Sequence, residues 1–147
     1  MSDYAHILVA IDFSPAAEKV AERAVNVARC CGASLTFLHV VEYLPPMAMG
    51  DEVTPSPVWM VDETALVQSS RASLQAFVKK LGQPNAEHLV TQGTTQYEIT
   101  QHAKDHNVDL IVMGSHGRHG VGLLLGSTAN AVLHHASCDV LAVRVHD

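Results

Sequence analysis

An α/β fold built on a parallel sheet is the architecture this sequence predicts, and three features carry the prediction. Strand-like apolar runs alternate with helical patterns along the chain, and most are joined by turns too short for anything but neighbouring elements. The run 108–113, Val-Asp-Leu-Ile-Val-Met, is branched, apolar and closed by Gly114, which suits a strand buried on both faces. A glycine-rich loop and a helical pattern follow it directly, and open α/β sheets bind ligands beyond the carboxyl ends of their strands.

The elements justify themselves in order. Residues 4–11 (Tyr-Ala-His-Ile-Leu-Val-Ala-Ile) form the first expected strand. Ser14 then stands where an N-cap belongs and Pro15 at the first helical position, with Glu18 close to the positive end of the helix dipole. Val20, Ala24, Val27 and Ala28 recur at helical spacing until Gly32 closes the helix. Residues 34–41 supply the second strand, so the first unit is strand–helix–strand, with a right-handed parallel crossover expected.

The rhythm breaks over 42–61, where Pro45, Pro46, Pro55, Pro57 and Gly50 predict a long loop. A loop of that length in a compact domain is either a binding loop or cover, or a variable insertion without a role. A helix over 62–81 is expected next, with Leu66, Ser70, Ser73, Leu74, Phe77 and Leu81 along one side and Gly82 and Pro84 as its stop. A short peripheral strand (88–91), a helix over 95–106 with Ile99 and Ala103 inward, the strand 108–113, a helix over 129–136 and a last strand (138–145) complete the series. The reading is therefore one domain over 1–147, with the proline-rich loop inside it.

Composition excludes several functions. The 147 residues carry a net charge of −6, and Lys and Arg are scattered, which argues against a nucleic-acid partner. No apolar run reaches the roughly 18 residues of a membrane span, and no basic-then-apolar leader opens the chain, so a soluble cytoplasmic protein is expected. Cys30, Cys31 and Cys138 form no CxxC pair, and a reducing compartment suits them. Neither a GxSxG elbow nor an activated cysteine points to acyl transfer.

The glycine loop carries the functional signal. Five glycines between Gly114 and Gly126 let main-chain N–H groups approach a ligand, and Gly126-Ser127-Thr128 opens the following helix with hydroxyls at its cap. A helix N-terminus reached through such a turn favours an anion, so a phosphate is expected there. The loop is not a P-loop, because no Lys follows Gly126, and no GxGxxG follows the first strand. His116 and His119 lie inside it, where either could touch a phosphate, and the sequence places no obvious general-base partner beside them. Asp12, at the end of the first strand, is placed either to bond ribose hydroxyls or to cap the helix after it. His102 and His106 have the four-residue spacing of a zinc pair, yet no third ligand is placed beside them, and the dipole at a helix C-terminus accounts for both.

The wording of several segments resembles the universal stress protein family. They are Tyr-Ala-His-Ile-Leu-Val-Ala-Ile-Asp-Phe-Ser at 4–14, Leu-His-Val-Val at 38–41 and Asp-Leu-Ile-Val-Met-Gly-Ser-His-Gly-Arg at 109–118. Leu-Leu-Leu-Gly-Ser-Thr-Ala at 123–129 and Cys-Asp-Val-Leu-Ala-Val-Arg at 138–144 complete the set, in the family's order and across almost the whole chain. The resemblance implies an open five-stranded sheet of order 3-2-1-4-5 with helices on both faces, the adenine nucleotide alpha hydrolase-like fold. It also implies ATP as ligand, with Mg²⁺ or Mn²⁺ as companion ion, and a cytoplasmic homodimer joined through the last strand, Cys138 to Val145.

Carried over residue by residue, Gly114, Gly117, Gly126 and Ser127 would hold ribose and phosphates. Asp12 would take the ribose or adenine side, and Ala10, Ile11 and Val40 would lie along the adenine. Met113, His116 and Thr128 complete the expected nucleotide site. One departure stands out: eight residues, not the family's nine, separate Gly117 from Gly126. The function expected is regulatory nucleotide binding acting on an unknown protein partner. The alternatives are a dimeric interaction protein that has lost nucleotide binding and a slow ATPase.

Overall fold

The computed structural model describes residues 4–42, 57–116 and 125–144. Strands β1 (His6–Ala10), β2 (Ser34–Glu42), β3 (Glu87–Gly93), β4 (Leu110–Gly114) and β5 (Asp139–Val143) alternate with helices α1 (Ala17–Cys31), α2 (Pro57–Lys80), α3 (Thr95–Asp105) and α4 (Ser127–His135). The sheet has the order β3-β2-β1-β4-β5, and every pairing is parallel. β1 is therefore central, with Ile7 opposite both Leu35 and Leu110.

Side chains alternate across the sheet, so successive residues join different cores. Ile7, Val9, Phe37, Leu110 and Val112 pack with Ala17, Val20, Ala21, Ala24 and Ala28 of α1 and with Leu74 and Val78 of α2. Leu8, Leu38, Val40, Ile111 and Met113 pack on the opposite face with Ile99 and Ala103 of α3 and Ala129 and Val132 of α4. The small residues of α1 let it lie close to the sheet. Gly32 ends α1 at φ +69°, in the left-handed region that glycine enters without penalty.

Three local expectations need correction. Helix α2 starts at Pro57, inside the segment expected to be loop, because proline in the first helical turn lacks only an N–H that would have no partner there. Glu42 likewise closes β2 instead of opening the loop, and the remainder of that expected loop, 43–56, lies outside the described residues. Along α2, Leu74 and Val78 are fully buried, whereas Leu66 is 52% exposed, so the inward face is narrower than its apolar spacing suggested. Ser14 does not cap α1: the N-cap is Ala16, with no side-chain bond, and the Ser14 carbonyl instead accepts the Ala17 N–H.

The opposite, amino-end edge of the sheet is tied by polar contacts. Asp109 accepts N–H bonds from Ala5 (2.8 Å) and His6 (2.9 Å), and its own N–H donates to the His6 carbonyl. Those two N–H donors hold the Asp109 carboxyl below its ordinary value. His6 Nε2 lies 2.8 Å from the Thr36 hydroxyl, which is itself buried, and Nδ1 lies 3.3 Å from the His106 carbonyl.

Candidate functional site

In a parallel sheet all strands end on one edge, and here β1, β2 and β4 bring their last residues together where the strand order reverses. A cleft of about 760 Å³ opens there, within the size range of small-molecule sites. Ala10, Ile11 and Asp12 contribute from the end of β1, Val40 from β2, and Met113 and Gly114 from β4. His116, Gly126, Ser127 and Thr128 line it from the loop and the start of α4. Every expected site residue thus falls on this cleft except Gly117, which lies outside the described residues.

The walls differ in chemistry. Val40 and Met113 belong to the α3/α4 core and Ile11 to the α1/α2 core, so the cleft straddles the rim of the sheet over an apolar floor. Hydroxyls line it from both faces of the sheet, Ser69, Ser70 and Ser73 from α2 and Thr95 from α3. Thr95 Oγ1 donates to Glu42 Oε1 at 2.6 Å, which fixes that carboxylate beside the rim. The described lining holds two carboxylates, Asp12 and Glu42, and neither Lys nor Arg. An anion bound against these residues would be met by main-chain N–H groups and hydroxyls.

Such donors are present at the start of α4. Gly126 is the N-cap, in extended backbone at φ −73° and ψ 166°, and no side chain among the described residues caps the helix. Ser127 and Thr128 are therefore the first two helical residues, not the caps their hydroxyls suggested, and the N–H groups of the first turn have no intrahelical partner. The Gly126 carbonyl accepts the Asn130 N–H, and the Gly126 N–H donates to the Ser115 carbonyl at 2.6 Å. Ser115 in turn donates its N–H to Val143 of β5 at 2.8 Å. Its hydroxyl lies 3.2 Å from His116 Nδ1.

The turn after β1 is more elaborate than the sequence suggested. Asp12 Oδ1 accepts the Ser14 N–H at 2.9 Å, an Asx turn, so this carboxylate has a local structural role as well as a place on the cleft. Phe13 follows at φ +57°, a conformation costing a bulky L-residue about 1–2 kcal/mol. His39 meets both neighbours of Asp12. Its Nδ1–H donates to the Ile11 carbonyl at 2.6 Å, and its ring lies on Phe13 with centroids 4.3 Å apart. His39, Phe13 and Glu42 line the cleft too, and sequence reasoning assigned them no role. The available signal was a histidine set in the otherwise apolar end of a buried strand.

Other candidates separate from this site. His102 and His106 stack on each other with centroids 4.0 Å apart, and His106 lies by its carbonyl near His6, at the amino-end edge of the sheet. No group of three or more His, Cys, Asp or Glu able to hold a metal occurs among the described residues. Burial pushes the Cys138 thiol up, away from the reactive thiolate. No helix among the described residues is long and apolar enough to cross a membrane.

Comparison with known proteins agrees with the geometry. The sequence model described as the universal stress protein family matches residues 3–144. Universal stress protein A homolog 1 of Coxiella burnetii is 40% identical over 140 residues, covering 95% of this chain and 96% of its own. The solved universal stress protein UspA of Lactobacillus plantarum superposes with a TM-score of 0.72 at 31% identity, covering 96% of this chain and 98% of its own. A universal stress protein solved in complex with cAMP shares the fold at a TM-score of 0.61 and 24% identity, covering 97% of each chain.

Proposed function

The chain belongs to the universal stress protein family, and from that membership we propose that it binds an adenine nucleotide, ATP foremost, in the cleft at the carboxyl edge of its sheet. One observation carries the reading: the N-terminus of α4, with the side-chain-less Gly126 as its N-cap, opens onto the same cleft as Asp12 and the end of β2. Phosphate oxygens would accept N–H groups from the first turn of α4 and the hydroxyls of Ser127 and Thr128, with Gly114, Gly117 and Gly126 allowing close approach. His116 stands beside that path, and Asp12 has a second carboxylate oxygen for a ribose hydroxyl. The adenine would lie over Ala10, Ile11 and Met113, its edge read by the main chain of Val40. The apolar rim suits a flat base, and the solved relative holds an adenine nucleotide of its own.

Mg²⁺ or Mn²⁺ would ride chiefly on the phosphates, since the described cleft supplies carboxylates from Asp12 and Glu42 alone. The protein would act by binding, as a single-domain cytoplasmic homodimer that presents a different surface to a protein partner when loaded. The half-buried edge strand β5 is the surface that would join two copies.

The test is a thermal melt with and without ATP and Mg²⁺, repeated on Gly117→Val. Ligand at about 100 times its dissociation constant stabilises a fold by roughly 2.7 kcal/mol, which is several degrees for a chain of this size. The expected result is a shift in the wild type that the variant loses. No shift at millimolar ATP would retire the nucleotide reading and favour a dimeric interaction protein.

A further inference from the structure

His39 interrupts an apolar strand end, and two of its contacts converge on one short turn. A carbonyl oxygen can only accept, so the 2.6 Å contact with Ile11 places the ring proton on Nδ1. The same ring covers Phe13, whose φ of +57° is the strained point of the turn. Between Ile11 and Phe13 sits Asp12, already committed through Oδ1 to the Ser14 N–H. β2 thus grips the turn on either side of the carboxylate, and the Ile11 N–H to Leu38 carbonyl bond at 2.8 Å sets the spacing from the backbone side.

We infer that His39 is a positioning residue for the ligand: its bond to Ile11 and its tilted ring contact with Phe13 hold residues 11–14 in the turn, left-handed at Phe13, that sets the Asp12 carboxylate in the cleft, and so give the site its preference for a ribose hydroxyl. The inference rests on the nucleotide reading for its ligand, but the turn itself is a property of the free protein. Removing the imidazole leaves Phe13 its packing against the α1/α2 core but takes away its ring contact with β2, and the turn relaxes towards conformations in which Asp12 no longer meets the sugar. The adenine floor and the start of α4 are unaffected, so affinity falls only for ligands that Asp12 can hold.

The experiment compares ATP with 2′,3′-dideoxy-ATP, by calorimetry, on the wild type, His39→Leu and His39→Asn. The Asn amide presents an N–H donor near the place of Nδ1. His39→Leu is expected to lose about tenfold in ATP affinity, or 1.4 kcal/mol, with the dideoxy analogue nearly unchanged. His39→Asn should recover most of the loss, and on an Asp12→Ala background His39→Leu should cost nothing further. Equal losses for both nucleotides, or full additivity with Asp12→Ala, would overturn the inference.

Amide exchange of Ser14 in the free protein supplies the independent arm. Its protection should drop in His39→Leu and persist in His39→Asn. Unchanged protection in His39→Leu overturns the positioning role whatever the ligand. If the wild type binds neither nucleotide while Ser14 protection responds as expected, the nucleotide reading fails and the control of the turn by His39 stands. A His39→Leu chain that does not fold leaves the decision to His39→Asn and His39→Gln. Asn should keep Ser14 protected and Gln, whose donor is one bond further out, should not; equal behaviour of the two would count against the inference.

Discussion

Gly126 donates its N–H to the carbonyl of Ser115 at 2.6 Å, so the two ends of the glycine loop are joined by a main-chain bond. Ser115 is fixed to β5 through Val143, and Gly126 caps α4, so the start of the helix is referenced to the sheet and not to the length of loop between them.

The first prediction follows from that bond. Inserting one glycine between 118 and 125 restores the nine-residue spacing and should leave stability almost unchanged, because one extra residue in a closed loop of this length costs about 0.1 kcal/mol. Thermal denaturation without ligand checks it. A fall of several degrees would show that the loop itself sets the position of α4.

Phe37 is fully buried in the α1/α2 core at the centre of β2. Phe37→Ala should cost about 3–5 kcal/mol, the range for removing a large aromatic from a packed site. In melting temperature that is roughly 6–20 °C. Denaturant unfolding is the direct measure, with the slope expected to stay constant.

Thr91 Oγ1 is buried and has no hydrogen-bond partner among the described residues. An unsatisfied buried hydroxyl costs about 1–3 kcal/mol, and valine keeps its shape. Thr91→Val should therefore raise stability by about 1 kcal/mol, read as a higher denaturant midpoint. A lower midpoint would mean that the hydroxyl is satisfied in solution.

The pH dependence is set at the amino-end edge of the sheet. Burial, then the neighbouring His106 and His6, lower the His102 pKa, with Asp105 and Glu87 opposing. As pH falls through the unfolded value of about 6.5, the unfolded chain takes up a proton that the folded chain resists, so stability declines. Asp109 acts lower on the scale: its contribution is present above its ordinary value of 3.8 and is lost as pH falls through the depressed folded value. Melting temperatures should drop between pH 7.5 and 5.5, and His102→Gln should flatten that slope while leaving the acid limb in place.

Much of the fold was legible because alternation and closure are local signals. Gly32 after α1, Asn107 at φ +53° after α3, and the apolar runs of β1, β2 and β4 each announce themselves within a few residues. Helix starts were less legible. Ser14, Ser127 and Thr128 all have capping hydroxyls, yet the N-caps are Ala16 and Gly126, neither with a side-chain bond, and Ser14 instead has its N–H taken by Asp12. The placement of Asp12, Gly114, Ser127 and the other expected residues on one cleft followed from strand order, whereas the grip of His39 on Ile11 and Phe13 depends on two strands meeting side by side. No spacing within the chain encodes that contact.

The central place of β1 bears on how the protein is made. The strand synthesised first among the five is the one whose two neighbours are β2 and β4. Its β2 side can pair early, but its β4 side waits for residues near 110, about 100 residues later, or roughly 5–20 s at ordinary translation rates. During that interval the fully buried Leu8 and Val9 belong to an open, apolar strand edge on the ribosome. Nascent chains stalled before β4 should accordingly be the ones that aggregate or recruit chaperones, and those stalled after β5 should not.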